Sequence, residues 1–469
     1  MAPAPWESVP AENTLFVLVT GGNSGIGFGI GERLIDEYLT TRSLSSHLVV
    51  IPTTRSAKKS QETIDGLRKH TKEFAATSAA LRARGGPNYD PKQTTRRVHI
   101  LSVQLDLCSL PSVRRAAHQL VSGTLTSPSD DEDFVPLTDV KIPRLDSVIF
   151  NAGIGGWYGL NWPKVFHNIF TKGLVNATTW PTFKGALGGH VIDPISGTKG
   201  EKGATTQMGE VFCANVFGHY VFAQRLVPLM ARPADSGLVP GRIIWESSVE
   251  GEWDSLSLDD FEAARIPAAY ESTKRLTDVL ALTSTLPASK PYVDRYFSTS
   301  TSNAATAIPP KIYVVHPGIV QTTIFPLNAF MFFWYNIVLY LARWLGSPWH
   351  AITAYNGACA PVWLALQEQG WLDGARAERV KWGSSVDRWG ECRVKKTEVD
   401  GWGWEGRVEE MRALKQEHKL AGRRPGAVDV TEEKLLEFKE LGAECWRRME
   451  ELRERWEERA DAVEGGRGS

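Results

Sequence analysis

The sequence predicts an α/β protein built on a doubly wound parallel sheet, and three observations carry that reading. Short apolar runs recur between residues 15 and 317, helix-like segments alternate with them, and the first run ends in a glycine-rich turn that opens a helix. A strand covered on both faces reads as an almost unbroken apolar run. Alternation of such runs with amphipathic segments builds a parallel sheet with helices on either side.

The elements follow in order. LFVLVT (15–20) is the first strand, and an amphipathic stretch over 24–39 follows it. Further strands read at HLVVIP (47–52), RVHILSV (97–103), DSVIFN (146–151), GRIIWES (241–247) and KIYVVHP (311–317), the last core strand expected. Helical patterns occupy 112–121, 209–230 and 270–286 between them. Polar insertions rich in Gly, Pro and Ser at 84–95, 123–142, 157–207 and 287–309 stretch the spacing. The insertion 123–142 reads as a surface loop, and 157–207, rich in Trp and Gly, as a wall for a substrate site. Residues 404–460 are rich in Glu, Arg and Lys and read as two helical stretches docked on the domain, the second capped by Asp429 with Glu432.

Composition narrows the function. Fifty-three basic residues against fifty-four acidic ones leave a net charge of -1, so no global field draws nucleic acid. Five scattered cysteines with no C-x-x-C pair predict neither a disulfide framework nor a zinc site, and suit the cytosol or a cytosolic membrane face. MAPAPWESVPAENT lacks a basic region followed by an apolar run, so no signal peptide is expected.

TGGNSGIG (20–27) follows the first strand directly. Gly21, Gly25 and Gly27, with Ser24 and Ile26 between them, let the backbone turn sharply and approach a pyrophosphate at a helix N-terminus, which predicts a Rossmann-type dinucleotide site. After the second strand, Thr53, Thr54 and Arg55 stand where an acidic residue would favour NAD; Arg55, with Lys58 and Lys59 nearby, can pair with a 2′-phosphate, so NADPH is the expected cofactor. Asp106 is placed to accept from the adenine amino group, and Asn151 ends the fourth strand beside the adenosine.

Tyr270 and Lys274 stand four apart in YESTK at a helix start, on one face. A phenol is reluctant to exchange protons at neutral pH, and a nearby ammonium favours the phenolate. Lys274 can also hold the nicotinamide ribose. Ser247 and Ser248 end the fifth strand; Ser248 is the preferred partner for a substrate carbonyl and Ser247 the lesser candidate. Asn215, in CANVFGHY, can bond main chain or water behind the lysine, and Val320 and Thr322, after PGI, can hold the carboxamide.

These motifs, in order over 15–323, resemble the short-chain dehydrogenase/reductase superfamily. GNSGIGFGIGERLI, YESTKRLTDVLALT, HPGIVQTTIFPLN, LYLARWLGSPWH and KWGSSVDRWG narrow the resemblance to the fungal 3-keto-steroid reductases of ergosterol biosynthesis, up to about residue 392, with the large insertions and the charged tail outside it. The resemblance implies NADPH-dependent reduction of the 3-ketone left by sterol C-4 demethylation to a 3β-hydroxyl. It assigns Tyr270 as acid, Lys274 as tuner, Ser248 as carbonyl binder and Asn215 as relay. It places the protein on the cytosolic face of the endoplasmic reticulum membrane or on lipid droplets, beside other enzymes of C-4 demethylation. The long segment between Ser248 and Tyr270 is expected to line the sterol entrance. Two other readings stay open: reduction of another hydrophobic ketone, and a nucleotide-binding scaffold for sterol enzymes.

Residues 1–323 are thus expected to form the dinucleotide-binding and catalytic domain, 324–400 an apolar lid or membrane-docking segment that ends it, and 401–469 the charged helical tail. The apolar stretch 324–345 is marginal in length for a span, and Pro326, Asn328 and Asn336 count against one. Docking at the headgroup level through Phe330, Phe332 and Trp334, or closure over substrate, suits it better.

Overall fold

The computed structural model describes residues 3–186, 188–200, 207–298, 307–322, 329–416 and 422–466. Its centre is a twisted sheet of β1 (Thr14–Val19), β2 (His47–Thr54), β3 (Val98–Ile100), β4 (Ser147–Phe150), β5 (Arg242–Glu246), β6 (Lys311–His316), β7 (Lys381–Val386) and β8 (Cys392–Thr397), in spatial order β3-β2-β1-β4-β5-β6-β7-β8. All neighbours pair in parallel except β7 with β8. The order reverses between β1 and β4. Ligands of open α/β sheets bind at such a switch point, beyond the carboxyl ends of the strands.

The alternation of side chains along β1 divides the core in two. Phe16 and Leu18 point to one face and Val17 and Val19 to the other. The second face carries α1 (Gly25–Thr41) and α2 (Ala57–Thr77). The first carries α3 (Leu110–Val121), a π-turn over Cys213–Phe217 leading into α4 (Gly218–Arg225), and α5 (Ala269–Thr283). After β6 come α6 (Ala329–Trp344), α7 (Cys359–Leu366), which packs on the α1 face, and α8 (Glu432–Gly466).

Several expectations are corrected. The sheet does not end at 311–317, because β7 and β8 follow. KWGSSV carries buried Lys381, Ser384 and Ser385, the first two bonded to partners distant in sequence, so it has no strand signature of its own. Segment 84–95 is largely helical, in Ala79–Gly85 and Pro91–Thr95. Segment 123–142 is a strand pair, Leu125–Ser127 against Leu137–Val140, that buries Leu125, Phe134 and Leu137. The Asp429–Glu432 cap is replaced: Thr431 accepts from the Lys434 amide, while Asp429 is drawn off by Arg423.

The charged C-terminal segment adds one face to the main core. Phe438, Cys445, Trp446, Met449, Leu452 and Trp456 of α8 are buried against α5 and α4, and the Trp446 indole donates to the Leu280 carbonyl at 3.0 Å. Glu450, fully buried, accepts from the Tyr220 hydroxyl and from a bidentate Arg453. No helix among the described residues is long and apolar enough to cross a membrane. Pro326 and Asn328, which weighed against a span, lie outside the described residues.

Candidate active site

Two clefts open at the carboxyl end of the sheet and meet at Ile26 and Thr322. The first, of about 1420 Å³, is bordered by Gly21, Ser24, Gly25, Thr54, Arg55, Asp106 and Asn151, together with Lys59 and Ala152–Gly155. The second, of about 840 Å³, is bordered by Ser247, Ser248 and Tyr270 and walled by Trp157, Leu160, Pro181, Phe183, Ile319, Val320 and Tyr335.

The glycine turn fits a dinucleotide. Gly21 and Gly25 hold φ of +64° and +52°, where a side chain is disfavoured. A Cβ on Gly27 would stand 2.3 Å from the Gly21 carbonyl oxygen and 2.5 Å from the Asn151 amide nitrogen, so only glycine lets the first turn of α1 close on the strand ends. Asn151 donates to the Thr20 and Gly21 carbonyls and so braces the turn. The Thr54 hydroxyl faces away to the Ser56 carbonyl and Ser60, while the exposed Arg55 and Lys59 border the cleft at that end. Asp106 accepts from the Cys108 amide at 3.0 Å while bordering the cleft.

At the catalytic end, two lysines grip the strand terminus that carries the serines. Lys274 donates to the Glu246 carbonyl at 2.7 Å. Lys381, paired with buried Asp278, donates to the Ser248 carbonyl at 2.5 Å. Ser247 turns its hydroxyl to the Lys274 carbonyl, whereas Ser248 accepts from the Glu250 amide at 3.3 Å and lies close enough to Tyr270 to draw its pKa down, which separates the two serine candidates.

The electrostatics add a further influence on the phenol. Burial, and then Glu250, hold the Tyr270 phenol above its ordinary value, with Ser248 pulling the other way. The Lys274 ammonium lies 5.5 Å from the ring centroid and is engaged with Glu246. A phenol kept protonated is the state required of a proton donor.

Asn215 sits in the π-turn, its side chain accepting from the Ile154 amide at 2.8 Å and donating to the Ile154 carbonyl at 3.0 Å. It fixes the loop that floors the dinucleotide cleft by main-chain bonds, the first of the two expected partners.

Four groups bordering or supporting the site carried little signal in the sequence. His219 lies between Thr20 (2.9 Å) and the Asn215 carbonyl (3.2 Å). Because the Thr20 hydroxyl already accepts from the Asn151 and Ala152 amides, its proton goes to His219 Nε2, and Nδ1–H donates to Asn215. Burial holds His219 neutral, its pKa lowered to about 3. Its spacing of four from Asn215 was the only clue. Lys184, Glu250 and Tyr335 come from insertions and from α6. Of the segment between Ser248 and Tyr270, Glu250 alone borders the substrate cleft; Trp253, Leu256, Leu258 and Phe261 pack on the core, so that segment does not line the entrance as expected.

A glycine turn at the switch point, a serine on a tyrosine and a lysine one helical turn away define a dinucleotide-dependent oxidoreductase of the short-chain type. The chain is 50% identical over 464 residues to 3-keto-steroid reductase ERG27 of Gibberella zeae, covering 97% of both chains. It is 41% identical to 3-keto-steroid reductase erg27 of Aspergillus fumigatus, covering 96% of both, and 28% identical to 3-keto-steroid reductase ERG27 of Saccharomyces cerevisiae, covering 83% of this chain and 90% of that one. The chain belongs to the 3-keto-steroid reductase family. The similarity to the Gibberella protein extends through insertions and tail, which corrects the limit near residue 392. No protein-family model matches the chain. Solved structures similar to it include salutaridine reductase from Papaver somniferum (17% identity, TM-score 0.39, 76% of this chain and 96% of that one) and 3-oxoacyl-[acyl-carrier protein] reductase from Brucella melitensis in complex with NAD (16%, 0.36, 75% and 89%).

Proposed function

We propose that the chain reduces the 3-ketone of a sterol to the 3β-alcohol with NADPH, in sterol C-4 demethylation. One observation carries this reading: a glycine-floored cleft and an apolar one share Ile26 and Thr322, and Ser248 and Tyr270 border the apolar one. The rings and aliphatic groups of the second cleft suit a rigid hydrophobic substrate with one polar end. The family of its relatives supports a sterol.

The bound dinucleotide supplies the hydride. Ser248 donates to the ketone oxygen, and Tyr270 delivers its proton there as negative charge develops. Lys274 supplies a cation on the phenol's side of the cleft, favouring the phenolate left behind. Arg55, with Lys59 also bordering the cleft and no acidic residue directly after β2 in the sequence, supports NADPH over NADH.

A membrane surface completes the reading. Tyr335 of α6 borders the substrate cleft, while Phe330, Phe333, Trp334, Tyr340, Leu341 and Trp344 of the same helix are exposed at helical spacing. Such a face suits docking at the headgroup level of the endoplasmic reticulum membrane or of lipid droplets, alongside other C-4 demethylation enzymes, with a sterol passing from lipid to cleft. Phe332 is half-buried, so Phe333 takes the outward place expected of it.

The test is product analysis after incubation with a 4-methyl-3-keto-sterol and either dinucleotide. The 3β-hydroxysterol is expected with NADPH and far less with NADH. Reduction of a small ketone with the sterol untouched would replace the substrate assignment, and no NADPH oxidation with either would overturn the reductase.

A further inference from the structure

The insertion that walls the substrate cleft carries one deeply placed charge. Lys184 opens the strand Lys184–Ala186, which pairs antiparallel with Trp157–Leu160. Its side chain is 4% exposed, and its ammonium is ion-paired to Glu250 and, at 2.6 Å, to Glu271. It lies 4.2 Å from the centroid of the Trp157 ring and 5.1 Å from that of Tyr270, and those two rings meet edge-on at 4.7 Å. Glu271 adjoins Tyr270 in sequence, and Glu250 follows Ser248 by two. One ammonium thus touches the insertion, the loop after β5 and the catalytic helix. Breaking a buried pair leaves an uncompensated charge, so such a group holds its neighbours firmly.

We propose that Lys184 is a positioning residue for Tyr270: it clamps the substrate-walling insertion onto α5 and balances the two carboxylates beside the phenol. The proposal rests on the reductase reading above. A plain structural tie would hold the insertion without bearing on the phenol, whereas here the ammonium and Trp157 both lie against the Tyr270 ring. Glu250 also responds to pH. Burial pushes Glu250 up to about 7, Lys184 pulls it down, and Glu271 and Glu252 push it up. Tyr270 from α5 and Tyr335 from α6 face it as well. Glu250 therefore changes charge near neutrality, and Lys184 sets where.

The experiment compares full-length wild type with Lys184→Met, Lys184→Arg and Lys184→Met/Glu271→Gln. NADPH binding and thermal melting report integrity, and kcat and KM for the hydrophobic ketone are followed across neutral pH. In Lys184→Met, kcat is expected to fall roughly tenfold or more, since small misplacements of reacting groups are costly. Its transition should move up by about one pH unit, with NADPH affinity unchanged. Lys184→Arg should retain most turnover, and the double variant should bring the transition back down. Independently of turnover, the infrared band of the protonated Glu250 carboxyl, assigned with Glu250→Gln, should titrate near 7 in wild type and higher in Lys184→Met. A folded Lys184→Met with wild-type kcat and an unmoved Glu250 band would overturn the proposal. So would equal loss of melting temperature and NADPH binding in the Met and Arg variants. A wild type that reduces no ketone would instead sink the reductase reading, while the carboxyl band still tests the clamp.

Discussion

Lys274 reaches back 28 residues along the chain to donate its ammonium to the Glu246 carbonyl, 2.7 Å away. Burial pulls this lysine down to about 8, and the ionised form of the buried Glu246 carboxyl opposes that pull. The lysine is cationic below its pKa and discharges as pH rises through it. Turnover is therefore expected to fall as pH rises through about 8. Glu246→Gln removes a group that favours the ammonium, so the midpoint should move to lower pH. Paired pH–rate profiles check this, and a midpoint unchanged by the substitution would detach the lysine from the alkaline limb.

Tyr270→Phe removes the proton donor while keeping the ring against Trp157. Turnover should drop by about 10²–10⁴-fold, the usual worth of a positioned acid. NADPH binding, read by fluorescence, should persist because the glycine turn is untouched.

Arg55→Ala should leave NADH turnover nearly constant and raise KM for NADPH. A charge-assisted bond of about 1.5–3 kcal/mol corresponds to roughly one to two decades of preference. The ratio of kcat/KM for the two dinucleotides measures it. A constant ratio would assign the phosphate to another group, Lys59 being the nearest along the cleft.

Trp446→Ala empties a fully buried site between α8 and α5 and removes the indole bond to Leu280. A loss of about 3–5 kcal/mol is expected for such a truncation. Thermal or denaturant unfolding would show it, and a melting temperature close to that of the wild type would mean that the C-terminal helix stands apart from the core.

Replacing Phe330, Phe333 and Trp334 together by serine should release the protein from phospholipid vesicles and leave turnover of a detergent-dispersed ketone nearly intact, because these rings face outward. Vesicle flotation reads the first effect. Undiminished flotation would move the docking surface elsewhere.

Legibility in the sequence followed the range of the interactions. TGGNSGIG and YESTK were readable because backbone geometry and helix pitch act within one or two turns: a glycine is needed where φ is positive, and residues four apart share a face. Apolar runs revealed β1, β2, β4, β5 and β6 for a similar reason, since both faces of each are buried. Lys381–Val386 escaped notice because its buried Lys381 and Ser384 pair with Asp278, Ala360 and Gly357, which no local pattern announces.

The sequence by itself therefore determined the parallel sheet, the dinucleotide turn and the tyrosine–lysine pair, all products of short-range geometry and periodic burial. Only the tertiary structure decided which serine faces the phenol, which charges surround it, and that a strongly charged C-terminal helix buries its tryptophans in the main core. Those outcomes come from desolvation and from pairing between segments far apart in the chain, and such forces take a definite value only once the chain has folded.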